Sequence, residues 1–306
     1  MTRSTGWVAR TAGGLLSVMV TACGGPTLTP LQLQYQSEAE RASRYHARGE
    51  LPRALAAYQE SLRWAEVADD RPAMLTQELN IGALALVLGD WMLAERGFQR
   101  AQSMALALSD STSELQARLG LAQVNLRQGR FDTARQTFQQ ALEAVRGRDA
   151  AATLVALNGL GLTQQALGQT AAARATLLEA ESLARAQGDQ RLLAATLANR
   201  AVLALRAGEL ESARQSLTEA VALDRATENL PGLAHDLLVL TQVRQRQGEA
   251  RAALELARQA RTILQHTGQY PQTLGADDSP VSTSVNPSVR LRQAGLKSDG
   301  RDDSSK

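Results

Sequence analysis

Cysteine is nearly missing from this chain: Cys23 stands alone among 306 residues. That rules out a disulfide framework and leaves no set of thiolates for a structural zinc site. Histidine is almost as scarce. His46, His235 and His266 lie far apart in sequence, so their spacing suggests neither a metal site nor a nucleophile–base pair, and no cofactor or metal is expected. Aromatic residues make up only 3% of the chain, and alanine and leucine supply most of the apolar content. Strands draw on β-branched and aromatic residues whereas helices draw on alanine and leucine, so the composition points to an all-α fold. Lysine occurs twice, as Lys297 and Lys306; the positive charge is nearly all arginine, which reads as codon usage rather than function.

Net charge is missing as well. Residues 1–22 hold Arg3, Arg10 and no acid, and without them 31 basic side chains face 31 acidic ones. A neutral body lacks the basic face that nucleic acid requires, so no nucleic-acid partner is expected. The acid pairs Asp69-Asp70, Asp277-Asp278 and Asp302-Asp303 fall in a turn or in the polar end of the chain. A general acid or base needs a sheltered setting to shift its pKa, and these pairs lack one. Gly159-Leu160-Gly161 has no preceding strand and no third glycine, so it reads as close helix packing rather than a nucleotide loop. The chain therefore reads as a non-enzyme.

What is present begins with a leader. Two arginines precede a short apolar run over residues 12–22, which matches the charged start, apolar middle and small-residue end of a signal peptide. The run is about half of the ~20 residues that cross a bilayer. Val20-Thr21-Ala22-Cys23 then resembles the lipobox of bacterial lipoproteins, an aliphatic residue and two small ones before the cysteine. The resemblance implies that Cys23 becomes the first mature residue and carries acyl chains. More than one chain is what stable anchoring takes. Gly24 stands where that family's inner-membrane retention signal has Asp, which implies an outer-membrane anchor facing the periplasm. Residues 1–22 are thus read as signal peptide and 23–30 as a lipidated linker reaching at most ~25 Å.

The body, residues 31–267, carries a repeat. Gly49, Gly89, Gly129, Gly168, Gly208 and Gly248 are spaced by 40, 40, 39, 40 and 40. Alanine follows each by five: Ala54, Ala94, Ala134, Ala173, Ala213 and Ala253. Small residues precede each by seven, from Ala42 and Gly82 to Ala201 and Thr241. Nine after the glycine come Tyr58, Phe98, Phe138, Leu177 and Leu217, then Ala257. A glycine past a helix end reaches the left-handed conformation without penalty. Small residues on facing sides of the two flanking helices let the axes approach, and the bulky residue fills the space next to neighbouring pairs. One such hairpin cannot bury its face alone, so successive hairpins are expected to stack.

These features, in stretches such as "NIGALALVLGDWMLAERGFQRA" and "LGLAQVNLRQGRFDTARQTFQQA", resemble the tetratricopeptide repeat. The period of 40 exceeds the ~34 of the standard repeat, and the family's early Trp and late Pro are missing. The resemblance is to the subclass with longer helices. It implies a right-handed superhelical α-solenoid of about six helix-turn-helix units whose first helices line a concave groove. The groove candidates are Asn80, Gln123, Arg127, Asn158, Gln165, Asn199, Arg206, Gln242 and Arg246. Asn80 and Asn199 share a place nine before their glycines, where longer-period relatives contact a peptide backbone. Arg127, Arg206 and Arg246, each two before its glycine, would favour acidic segments.

At the edges, Thr29-Pro30 reads as a helix start. Residues 268–306 lack apolar periodicity and are rich in Ser, Asp, Gly and Pro, the composition of a disordered tail. The expected function is a lipid-anchored periplasmic scaffold or adaptor that binds protein partners in an envelope assembly such as a secretion, pilus or cell-wall complex. A nutrient-binding lipoprotein and a cytoplasmic repeat regulator with an over-extended start are the alternatives.

Overall fold

The computed structural model describes residues 28–267, and among them the secondary structure is helix alone. Twelve helices follow one another: α1 (Pro30–Ala47), α2 (Leu51–Val67), α3 (Arg71–Leu88), α4 (Trp91–Leu108), α5 (Ser111–Arg127), α6 (Phe131–Val145), α7 (Ala150–Ala166), α8 (Thr170–Gln187), α9 (Gln190–Ala207), α10 (Leu210–Ala226), α11 (Leu230–Arg246) and α12 (Ala250–Thr267). They form six hairpins in chain order, the all-α solenoid that the repeat implies. The proposed leader, Cys23 and the polar segment after residue 267 lie outside the described residues.

The helices start where the caps say. Thr29 accepts a hydrogen bond from the Gln32 amide while Gln32 Oε1 accepts one from the Thr29 amide, a capping box with Pro30 in the first turn. Asp70, Asp90, Asp149 and Asp189 each accept from the backbone amide three residues on, and Asp110 and Asn229 cap in the same way. Each such cap is worth about 1 kcal/mol. The turn glycines all take the left-handed conformation, from Gly49 at φ +73° to Gly248 at φ +82°.

Packing follows the repeat. Ala54, Ala94, Ala134, Ala173, Ala213 and Ala253 are all buried, as are Ser61, Ala101, Ala141, Ala180, Ala220 and Ala260 twelve residues after each glycine. Ser61, the one polar member, donates to the Tyr35 carbonyl at 2.7 Å. A Cβ placed on Gly97 of α4 would lie 3.1–3.2 Å from backbone atoms of Glu78 and Gly82 on α3, so that pair of axes is as close as backbone allows. The bulky residues reach further. A Cβ on Gly82 would touch Phe98 of its own unit at 3.0 Å, and one on Gly120 of the next unit would meet the same ring at 2.5 Å.

Odd-numbered helices also pack on one another across units, α3 on α5, α5 on α7, α7 on α9 and α9 on α11. Even-numbered helices show no comparable contact with one another. The odd helices therefore crowd the inside of the curve and the even ones fan out along its outside. Across that outer side, arginines bridge units: Arg100 to Glu66 at 3.1 Å, Arg130 to Glu95 at 2.8 Å and Arg185 to Glu219 at 2.7 Å. These bridges are exposed, so each contributes less than about 1 kcal/mol. No described helix is long and apolar enough to cross a membrane.

Candidate protein-binding groove

On the inner helices, positions nine, six and two before the glycine share one face, since steps of three and four residues follow the helical turn. Those positions reach solvent as Asn80, Ala83 and Val87 on α3, Gln123 and Arg127 on α5, Asn199, Val202 and Arg206 on α9, and Gln242 and Arg246 on α11. The stripe is unlike an ordinary charged surface, because small apolar groups alternate with amides and arginines.

The middle of the stripe has a bare floor. Where α3 and α9 carry Asn, α5 and α7 carry Gly120 and Gly159, both buried under the phenylalanines of the preceding units. Gly161 adjoins Leu177, on whose side chain its Cβ would lie at 2.7 Å. Gly159-Leu160-Gly161 is thus a packing device inside α7.

The predicted amides divide into two groups. Asn199 donates from Nδ2 to Asn158 Oδ1 at 3.1 Å, and Asn158 in turn donates to Thr196 Oγ1 at 2.9 Å. Thr196 donates to the Leu192 carbonyl at 2.7 Å. Asn158 is buried, so its amide acts on Asn199 from behind and fixes the angle at which Asn199 faces the groove. Gln165 is buried too. Asn80, Gln123 and Gln242 make no side-chain hydrogen bond within the described residues, which leaves their donors and acceptors available to a ligand.

The three arginines also differ. Arg246 donates to the Leu205 carbonyl at 2.8 Å, tying the end of α11 to the end of α9. Arg127 and Arg206 have no hydrogen bond or ion pair among the described residues. Arg127 is exposed on its own surface yet crowded by the surrounding helices, and that desolvation lowers its guanidinium below the ordinary arginine range. A cation held so, with no counter-ion, is a place where an anionic group gains more than it would in open water.

Two of the histidines lie nearer to each other's end of the chain than their numbers suggest. His46 and His266 are separated by almost the whole body, yet the fold brings their ends of the chain together. His266 Nε2 lies 3.2 Å from the Arg48 carbonyl oxygen. Burial, with Arg191 nearby, lowers the His46 pKa. Among the described residues, no three of His, Cys, Asp and Glu gather closely enough to hold a metal ion.

Comparison with known proteins agrees with the helix arrangement. The family model described as tetratricopeptide repeat matches residues 73–147 and 121–186. No curated protein matches the chain. Among solved structures, a Rap protein complexed with Competence and Sporulation Factor is similar at TM-score 0.62 and 14% identity, over 80% of this chain and 72% of that one. The Rap conjugation gene regulator of plasmid pLS20 in complex with the Phr* peptide is similar at TM-score 0.62 and 15% identity, over 82% and 67%. NprR in complex with its cognate peptide NprX is similar at TM-score 0.62 and 14% identity, over 79% and 71%. At these identities the likeness is one of fold.

Proposed function

The chain is a tetratricopeptide-repeat protein, and from that premise we propose that it is a lipid-anchored adaptor of the bacterial envelope that holds an extended, acidic segment of a partner protein along its inner face. The observation that carries the reading is the set of inner-face groups without internal partners: the amides of Asn80, Gln123 and Gln242 and the guanidinium groups of Arg127 and Arg206. Amides pair with a peptide backbone irrespective of its side chains, and arginine pairs bidentately with carboxylates. Two of the similar structures above, the pLS20 Rap regulator and NprR, were solved with a bound peptide, which supports a segment rather than a folded surface as the occupant.

The anchor rests on the sequence Val20-Thr21-Ala22-Cys23 and on the leader before it. With a seven-residue link from Cys23 to Pro30, the first hairpin would sit within ~25 Å of the bilayer surface. A partner held there would be an envelope component, on the periplasmic face of the outer membrane given Gly24. The reading is one of binding, with no catalytic step.

Two measurements test it separately. Cells fed a clickable fatty acid should label the protein, and Cys23→Ser should abolish the label; an unlabelled wild-type protein returns the chain to the cytoplasmic regulator class. Asn80→Ala with Gln123→Ala should lower partner recovery in a pulldown at least tenfold with unchanged helicity. Undiminished recovery would remove the groove amides from the account.

A further inference from the structure

The ends of the solenoid meet. His266, in the last turn of α12, donates toward the carbonyl of Arg48, the residue that caps the end of α1, across 218 positions of sequence. Gly49 beside it is the one repeat glycine that is fully buried; its five counterparts are partly or wholly exposed. The cover comes from the last unit. A Cβ on Gly49 would lie 3.0 Å from Leu230 Cδ1 and 3.2 Å from Thr267 Cγ2. Only there does a repeat glycine's turn take its packing from a unit five places away.

The seam is also incompletely filled. It borders a cavity of about 630 Å³ whose walls include Arg48 and Glu50 from the first unit and Asp224, Arg225 and His266 from the last two. Interfaces between consecutive hairpins are different: they run along whole helices and are packed with alanine, leucine and phenylalanine. A solenoid is stabilised unit by unit through those neighbour interfaces, and a small change at each adds up to a large displacement between its ends. The seam is thus the weakest contact in the ring, and it can part while every hairpin stays folded.

We propose that the contact of Arg48 and Gly49 with Leu230, His266 and Thr267 is a latch, which closes the superhelix into a single turn and must open for a partner to reach the inner face from the side. Closed, the concave face is a channel entered only along its axis. Open, it is a groove. The latch rests on the end-to-end contact and does not depend on which segment the inner face binds.

The test needs no ligand. In full-length protein carrying Cys23→Ser, nitroxide labels at Ala56→Cys on α2 and Gln259→Cys on α12, both exposed positions, report the distance across the seam by pulsed electron resonance. The closed latch predicts one narrow distance. Leu230→Asp places a charge against Gly49, while an acid in the first turn of α11 suits that helix. This variant should shift the distribution to longer distances and broaden it, with far-ultraviolet dichroism unchanged. His266→Ala removes the hydrogen bond to Arg48 and the ring's edge contact at Gly49 from an exposed position, and should broaden the distribution to a lesser degree. A broad distribution in the parent protein, or the same narrow distance in both variants, would overturn the latch.

Discussion

Phe138 of α6 stands with its ring against Gly159 of α7, so closely that a Cβ on the glycine would fall 2.2 Å from the ring's Cζ. Phe138 is fully buried, which leaves the ring no direction in which to yield. The pair joins two consecutive units and, like Phe98 against Gly120, shows how the repeat seats a phenylalanine: the ring nine after one glycine takes the empty place nine before the next.

Gly159→Ala should therefore destabilise the protein by about 1–3 kcal/mol, even though alanine in a helix is worth about 1 kcal/mol over glycine. Chemical denaturation measures the difference. Adding Phe138→Leu should restore part of the loss, and a double-mutant cycle without coupling would contradict the contact. Gly168 offers the comparison. A Cβ there meets nothing within 4 Å, but its φ is +76°. Gly168→Ala should cost about 1 kcal/mol from backbone strain alone, with no rescue by any packing change.

Two aspartates should respond to pH with opposite sign. Asp70 caps α3 through the Ala73 amide and accepts the Tyr35 hydroxyl at 2.7 Å. That hydroxyl and then the amide hold its carboxyl below the usual range. Its contribution is present above the ordinary aspartate pKa and is lost as pH falls through the lowered value. Asp70→Ala should cost about 2 kcal/mol near neutrality, from the cap and the stranded tyrosine hydroxyl, and the difference from wild type should shrink on acidification.

Asp224 is the reverse case. Burial raises its pKa from 3.8 to about 6, against the opposing Asn229 hydrogen bond. The charges around it are Asp236 and His235 on α11, Arg191 on α9, Arg225 on α10, and Arg48, Glu50, Glu228 and His266 about the seam cavity. A raised carboxyl pKa means that stability falls as pH rises from about 4 to about 6 and then levels off. Asp224→Asn keeps an acceptor for Asn229 and removes the titration. It should match wild type below pH 4 and exceed it by up to about 3 kcal/mol at pH 7. Parallel stability curves for the two proteins across that window would contradict the assignment.

The period was legible because each within-unit turn uses glycine and each crossing uses a small side chain. The turns between units, at residues 69–72, 109–112, 147–149, 188–190 and 229–232, were legible instead from their cap-forming residues. Asp69, Ser109 and Glu228 adopt the left-handed conformation there without glycine, at φ 49°, 56° and 53°, so no single residue type marks them. Gly97 and Gly120 carry no mark for a related reason: in a chain rich in small residues, a glycine inside a helix has no label that separates a close approach from an incidental one. The inner amides could be named from their register, but the chain from Asn199 through Asn158 to Thr196 joins different units, and spacing within one unit cannot show it. The seam was hidden most deeply. It depends on the summed curvature of six hairpins, a property that no local stretch encodes.

The outer arginine bridges make a weaker claim that is simple to check. Arg185 pairs with Glu181 at 3.0 Å and with Glu219 at 2.7 Å, all three on the outer side. Arg185→Ala should lower stability by less than about 1 kcal/mol, and the effect should fade with added salt. A loss several times larger, or one insensitive to salt, would show that these bridges hold the units in register.

The central claim is that the inner face takes the partner. Photo-crosslinking in intact cells tests it most directly, with a photoreactive residue placed at Gln123 on α5 in one strain and at Gln139, an exposed position on α6, in another. The account predicts a crosslinked protein adduct from Gln123 and none from Gln139. An adduct formed from Gln139 and not from Gln123 would contradict it.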